Sequence, residues 1–497
     1  MGYSETDRIY EGIIRVARVA TVASTLLGLS VQPAYPAESA PPHGDSIYET
    51  TNPEFFYAQQ ELAVSGYVEM IVEFPEIETE PDKGLSAFID QCGANDEEEK
   101  GAEVEGFLNT RPVALVRVTS ADVLQNLFAR GISATQNKRI PVPVPRKDGD
   151  GNPLASDAEA VDPAVATGAD WVQREFDATG AGARIFIPDT GASKGNLSDI
   201  QACFSTNEVD EHGNPVSSST CPGGDEMKVG RGAGRACSAP GCGHGERVVS
   251  VDTRMAPGAE VFPVQIASID ANGNAFISYF SLLRALDYIA GREDLSGSDI
   301  VQLSLAYSGY SRFCNDYEPN IAALIKELIA RGVLVIDATG NDNDASHRLD
   351  GIVPATACIV GDANDPTADG KLSVGSLNPS GTRVTDFTQL GPSVTMGGFD
   401  PLNVGGERLS GNSFAVPQAG GVAALMIELN HRTGSDQGVR GPKGKEKELY
   451  DSGRFPVQRG KLSLLGLDAA EAARRLEKEK GLARSRPYKI YVPKLQR

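Results

Sequence analysis

The sequence predicts an α/β domain with a largely parallel sheet covered by helices on both faces, preceded by a small α+β unit. Three observations carry this. Short apolar stretches such as Arg184–Pro188, Val261–Val264, Asp299–Ser304 and Val333–Asp337 have the length and β-branched content of buried strands. Helical spacing recurs between them, at Phe280 to Ile289 and Ile321 to Arg331, the latter closed by Gly332. Strand, helix and strand in succession make a parallel sheet, whose chemistry gathers at the carboxyl ends of the strands.

Ahead of this region, Tyr67–Phe74 and Val113–Val118 read as strands. Ser120 reads as the N-cap of a helix burying Val123, Leu124, Leu127 and Phe128 and closed by Gly131. The stretch between the two strands, nearly all charged from Asn95 to Lys100, reads as helix or loop. From Pro141 to Pro163 the chain is rich in Pro, Gly and Asp without periodicity, which marks an exposed, protease-sensitive linker. Beyond Arg440 the tail is charged, with one helical stretch from Asp468 to Lys480.

At the N-terminus, Arg15 and Arg18 precede the uncharged run Val19–Val31, and the small residues Ala34, Ala37, Ser39 and Ala40 follow. This is the layout of a secretory signal peptide, and the run is shorter than the roughly 20 apolar residues of a membrane span. Export to a secreted or periplasmic location is therefore expected. The 497 residues carry a formal net charge of −21, which disfavours nucleic acid as a partner. The cysteines are Cys92, Cys203, Cys221, Cys237, Cys242, Cys314 and Cys358. Without the segment holding Cys92, six remain, open to 15 pairings, of which Cys237 with Cys242 is the nearest local pair. Zinc in the cluster from Cys203 to Cys242 is the rival reading, although close Cys-x-x-Cys knuckles are lacking.

Four blocks carry chemistry. Asp189-Thr190-Gly191 and Ala338-Thr339-Gly340-Asn341 each follow a strand directly. Gly243-His244-Gly245 precedes an apolar helix, and Gly411-Asn412-Ser413-Phe414-Ala415-Val416-Pro417 opens another that runs through Leu429. A serine hydroxyl is a weak nucleophile and needs an imidazole to accept its proton, which points to Ser413 and His244. A carboxylate must hold that imidazole in the right tautomer, which points to Asp189.

These blocks, in the order Asp, His, Ser, resemble the subtilase family of subtilisin-like serine proteases (peptidase family S8). Gly332–Asn341 and Leu372–Asn378 are similar to core strands of that family. The resemblance implies a subtilisin-like fold, Asp189, His244 and Ser413 as catalytic residues, and Asn341 as the side-chain donor of an oxyanion hole. It implies that Ser304, Leu305, Ala306 and Tyr307 line the substrate-binding edge, with Tyr307 narrowing a non-primed pocket. The unit around residues 67–145 is similar to the family's ferredoxin-like propeptide, an intramolecular inhibitor, so Cys92 would belong to a discarded piece. The expected organisation is a signal peptide over 1–39, propeptide over 40–147, linker with processing site over 148–165, catalytic domain over 166–435 and C-terminal extension over 436–497. The expected protein is a self-processing secreted endopeptidase, a monomer acting on protein or peptide substrates, with no cofactor required for the chemistry. Acidic residues such as Asp342 and Asp344 are candidates for structural calcium, with solvated loop charge as the alternative.

The sequence also departs from the family's pattern. Pro188 precedes Asp189, Glu246 and Arg247 follow Gly245, Gln418 stands where the family has His, and Ser304-Leu-Ala-Tyr307 stands where it has glycines. A catalytically idle, subtilase-like binding protein is the alternative these departures raise. An aspartic-protease reading of Asp189-Thr-Gly191 would need a second such loop, and Asp451-Ser-Gly453 follows a charged stretch instead of an apolar strand.

Overall fold

The computed structural model describes residues 53–73, 102–108, 110–129, 133–142, 159–210, 212–310, 313–342, 352–362, 368–391, 394–433, 442–453, 456–459 and 462–484. The expected signal peptide, Cys92, Gly131, the charged run 95–100, Asp344 and most of the linker lie outside them.

The first described elements are helix α1 (Pro53–Ser65), strands β1 (Val68–Glu73), β2 (Ala102–Phe107) and β3 (Val113–Val118), helix α2 (Ala121–Ala129) and strand β4 (Ala134–Gln136). The four strands form an antiparallel sheet in the order β2-β3-β1-β4, which is the ferredoxin-like order. The period of two sorts their side chains. Val68, Met70, Val72, Val116 and Val118 pack with Leu124 and Leu127 of α2 in a core of their own. Ile71, Val113 and Leu115 point the other way and join a core of the main domain. The acidic stretch read as helix or loop ends in a strand instead, β2. Its Ala102 is buried while Glu103 is exposed, an edge-strand alternation that the surrounding charge hides.

Past β5 (Arg139–Pro141) the main domain begins with helices α3 (Pro163–Thr167) and α4 (Ala169–Phe176) and strands β6 (Arg184–Asp189), β7 (Ala202–Phe204), β8 (Glu208–Val209), β9 (Pro215–Ser219) and β10 (Met227–Val229). It continues through helix α5 (His244–Met255), strands β11 (Glu260–Gln265), β12 (Ala267–Asp270) and β13 (Ala275–Ser278), helix α6 (Tyr279–Ala290), and strands β14 (Asp299–Leu303) and β15 (Tyr307–Tyr310). Helix α7 (Pro319–Ala330) and strands β16 (Leu334–Ala338), β17 (Val353–Ala355), β18 (Lys371–Leu377) and β19 (Val394–Phe399) follow, then the hairpin β20 (Leu402–Val404) and β21 (Glu407–Leu409). Helices α8 (Ala415–Arg432) and α9 (Pro442–Ser452), strands β22 (Pro456–Arg459) and β23 (Leu462–Gly466), and helix α10 (Ala469–Lys480) close the described chain.

The main sheet runs β10-β7-β11-β6-β14-β16-β18-β19-β23-β22. It is parallel from β7 to β23, and antiparallel only at its two outermost pairs. Strands β14, β16 and β18 are buried at every residue, as expected where helices cover both faces. On one face α5, α8 and α10 share a core with Ile185, Ile187 and Ile336. On the other, α6 and α7 pack over Phe186, Val301 and Val335. The expected 436–497 extension takes part in this architecture. Strand β23 pairs with β19, while Ala470 of α10 lies against Gly168 and Arg474 covers the Trp171 ring.

Strand β5 does not pair with its neighbours in the N-terminal sheet. It adds to β13 at the edge of a second sheet, β5-β13-β12-β9-β8.

Candidate active site

The carboxyl ends of β6 and β16 and the amino ends of α5 and α8 converge at one edge of the sheet, as the topology requires. Asp189 is the last residue of β6, His244 the first of α5, and Ser413 sits in a 3₁₀ turn (Asn412–Phe414) that runs into α8. All three are buried.

Pro188 fits within β6. The carbonyls of Ala183 and Asp189 accept from β11 and the residue after it, whereas the Arg184 N–H donates toward β14. The missing N–H of Pro188 therefore faces β14, where the ladder has already ended at Phe186 paired with Val301.

The Asp189 carboxylate spans His244 Nδ1, with both oxygens at 2.9 Å. Its Oδ1 also accepts from the Thr190 N–H at 2.6 Å. An imidazole that donates from Nδ1 to this carboxylate keeps Nε2 as a bare acceptor. Nε2 is buried and has no hydrogen-bond partner among the described residues. Thr190 ties the Asp and His blocks together: its Oγ1 donates to the Cys242 carbonyl at 2.8 Å and accepts from the Gly245 N–H at 2.9 Å. A Cβ on Gly245 would lie 2.6 Å from the Gly191 carbonyl oxygen, so the glycine after His244 is what lets the two blocks touch.

Ser413 Oγ is turned toward β14. It donates to the Ser304 carbonyl at 3.2 Å, and Ser304 Oγ donates to the Ser413 carbonyl at 3.0 Å. Asn341 lies beside the same turn, where its Oδ1 accepts from the Asn412 N–H at 2.8 Å. That bond orients the amide so that Nδ2 keeps its donors for another acceptor. Gly411 has φ of 132°, a conformation open to glycine, and a Cβ there would sit 3.4 Å from Asn341 Nδ2.

Two further residues shape this loop and were not marked by the sequence. Asp400, buried after β19, accepts from the Gly411 N–H at 2.7 Å and from Ser410 Oγ at 2.9 Å. Burial pushes its carboxyl up to about 6, against the lowering effect of those two bonds and Arg408. Gln389 lies under Gly340, accepting from the Asp342 N–H. A lone Asp or Gln in a loop carries no local signal; only the tertiary contact reveals it.

Of the expected substrate edge, Ser304 presents its carbonyl to the Ser413 hydroxyl. Leu305 is buried in the core under α6 and α7, and Ala306 is half-buried. Tyr307 is buried too, in β15, which pairs with β17, and its ring stands edge-on to Tyr279 at 5.5 Å. Burial holds both phenols well above the ordinary tyrosine range.

The other departures have local partners. Glu246 accepts from the Ser193 N–H at 2.6 Å, and Arg247 pairs with Glu407 at 2.6 Å. Gln418, wholly buried, joins α8 to β19: Oε1 accepts from the Phe399 N–H, and Nε2 donates to the Phe399 and Phe414 carbonyls, all at 2.9 Å.

Cys203–Cys221, Cys237–Cys242 and Cys314–Cys358 are disulfides, which leaves no thiolates in that cluster for the rival zinc reading. Among the described residues, no group of three or more His, Cys, Asp or Glu side chains could hold a metal ion. No described helix is long and apolar enough to cross a membrane.

Curated proteins contain no match to the chain. Among solved structures it is similar to a cold-adapted subtilisin-like serine proteinase, at 18% identity and a TM-score of 0.40, over 59% of this chain and 91% of that one. The model of the subtilase family (peptidase S8) matches residues 167–441, more than half of the sequence and every one of the four blocks. The chain belongs to the subtilase family of serine peptidases.

Proposed function

We propose that this subtilase is a secreted endopeptidase that cleaves peptide bonds through an acyl-enzyme, with Ser413 as nucleophile, His244 as general base and Asp189 as its orienting carboxylate. The observation that carries the reading is the Asp189 carboxylate on His244 Nδ1, at the same edge of the sheet as Asn341 and the turn that holds Ser413.

In this reading, a bound substrate amide takes over the Ser304 carbonyl, and the released Ser413 hydroxyl swings to His244 Nε2. The imidazole accepts its proton as Oγ attacks the scissile carbonyl, and Asp189 stabilises the imidazolium. Negative charge on the carbonyl oxygen is met by Asn341 Nδ2 and the Ser413 N–H, helped by the positive end of α8. The imidazolium then protonates the leaving amine, and water repeats the sequence to release the acyl group. No cofactor enters the chemistry.

We further propose that the unit ending at Val142 is an inhibitory prosegment, cut from the enzyme by its own active site within about residues 141–165. The seating of β5 on β13 supports this, because the described unit ends there with Val142 against Gly241, close in sequence to His244. The protein is expected to act as a monomer on protein or peptide substrates.

Intact mass of wild type and Ser413→Ala, both expressed with export, tests the proposal. Wild type should lose an N-terminal piece ending in that window, and the variant should keep it. Two full-length proteins, with no labelling of wild type by a fluorophosphonate probe, would mean that the triad is idle.

A further inference from the structure

The segment that pairs with β13 carries two adjacent cations, and the main domain meets each with a carboxylate. Arg139 lies opposite Ser278, Ile140 opposite Ile277 and Pro141 opposite Phe276, and the Lys138 carbonyl accepts from the Tyr279 N–H at 2.9 Å. The alternation of the strand sends Lys138 and Ile140 inward and Arg139 outward. Ile140 is wholly buried in the core under α6. Lys138 Nζ reaches within 3.8 Å of Glu318 Oε1, an oxygen that also accepts from Tyr310 Oη at 2.6 Å. The Glu318 side chain is 0% exposed. On the other side Arg139 Nη2 donates to Glu208 Oε2 at 2.6 Å, and its guanidinium lies 4.6 Å over the Phe276 ring. Glu208 is 6% exposed. Glu69 and Tyr67 of the N-terminal unit also face Arg139.

Glu208, Glu318, Phe276 and Tyr310 all belong to the main domain. When β5 leaves, β13 becomes an open strand edge, which takes up extended chain through main-chain pairing and selects it through side-chain pockets. Each of the two carboxylates then loses a neighbouring cation, while Glu318 keeps Tyr310 and Glu208 keeps Thr206. Charge complementarity makes the edge favour a new occupant that restores both cations over a neutral one.

We propose that Glu208 and Glu318 form a recognition site for a basic dipeptide followed by an aliphatic residue, on the N-terminal side of the scissile bond of an extended substrate. The site selects Lys or Arg at the positions of Lys138 and Arg139 and an Ile-like side chain at that of Ile140. It deepens the endopeptidase reading above and rests on it.

The test uses quenched peptides spanning residues 134–165, with Lys138-Arg139 either native or replaced by Gln-Gln, on processed wild type and on a Glu208→Gln, Glu318→Gln double variant. Wild type should show at least a tenfold higher kcat/KM for the native peptide, and that ratio should fall toward one on the double variant. Equal kcat/KM for the two peptides on wild type overturns the proposal without any variant having to fold. So does a preference that survives undiminished in the double variant. If neither peptide is cut and fluorophosphonate labelling also fails, the endopeptidase reading has fallen. Labelled peptides of residues 134–142 are then compared by anisotropy on chain nicked between 143 and 158 with an added protease. Tighter binding of the native peptide supports the basic site, and equal affinity overturns it.

Discussion

Ser304 and Ser413 bond each other twice, the hydroxyl of each donating to the carbonyl of the other, at 3.0 and 3.2 Å. The turn that carries Ser413 is thereby held against the end of β14 from both sides. Removing the Ser304 hydroxyl leaves the buried Ser413 carbonyl without that donor, a loss of about 1 kcal/mol. Ser304→Ala should lower kcat roughly five- to tenfold with little change in KM, read by steady-state kinetics on one peptide. A kcat within about twofold of wild type would mean that the pair does not position the nucleophile.

Asp400 links pH to both stability and catalysis, in opposite directions. Its carboxyl is raised from 3.8 to about 6, so the folded chain holds this proton where the unfolded chain has lost it. Stability is therefore greatest while Asp400 is protonated and falls as pH rises from about 4 through 6, by about 2–3 kcal/mol in all. The ionised form is the better acceptor for Gly411 and Ser410, so turnover gains over the same window. In urea unfolding at pH 4 and pH 7, wild type should lose stability relative to Asp400→Asn, while kcat of the variant stays low at the higher pH. A stability difference that does not change with pH would refute the assignment.

Glu69 is expected to set the pH at which the proposed prosegment lets go. Burial raises it from 4.5 to about 8, reinforced by Glu208 across the interface and by Glu105. Asn137 and Arg117 act the other way, and burial also raises the nearby Glu61 and Glu105. A carboxyl that keeps its proton only when folded supports the contact below its raised pKa and weakens it as pH climbs through about 8. After processing, the lag before free activity appears should shorten several-fold between pH 6 and pH 9. In Glu69→Gln it should change far less. An equal lag at the two pH values in wild type would rule the cluster out.

Much of this architecture was legible in the sequence, for reasons tied to particular residues. The parallel strands were visible because burial on both faces makes them uninterrupted apolar runs, as in Val333–Asp337. The four site blocks were visible because each sits at a strand end or helix start, where glycines permit the close contacts seen at Gly245 and Gly411. What remained hidden depends on contacts distant in sequence. Cys314 and Cys358 are 44 residues apart, and no spacing rule pairs them. Asp400 and Gln389 act on the site from loops without any motif. Strand β23 belongs to a tail whose charge disguises its pairing with β19. The burial of Tyr307 against Tyr279 follows from the β15–β17 pair, which the sequence does not announce.

That same tail bears on how the enzyme comes into being. Strand β23 and helix α10 are made after the helix that follows Ser413, and they cover β19 and part of the face of α8. A nascent chain that has just exposed Ser413 still lacks its outer strands and the cap over Trp171, so a truncated product would present bare apolar surface to chaperones and degradation. The order of synthesis thus acts as a safeguard: the turn that holds Ser413 gains its outer strands and the cap over Trp171 only when the segments that follow it have been made.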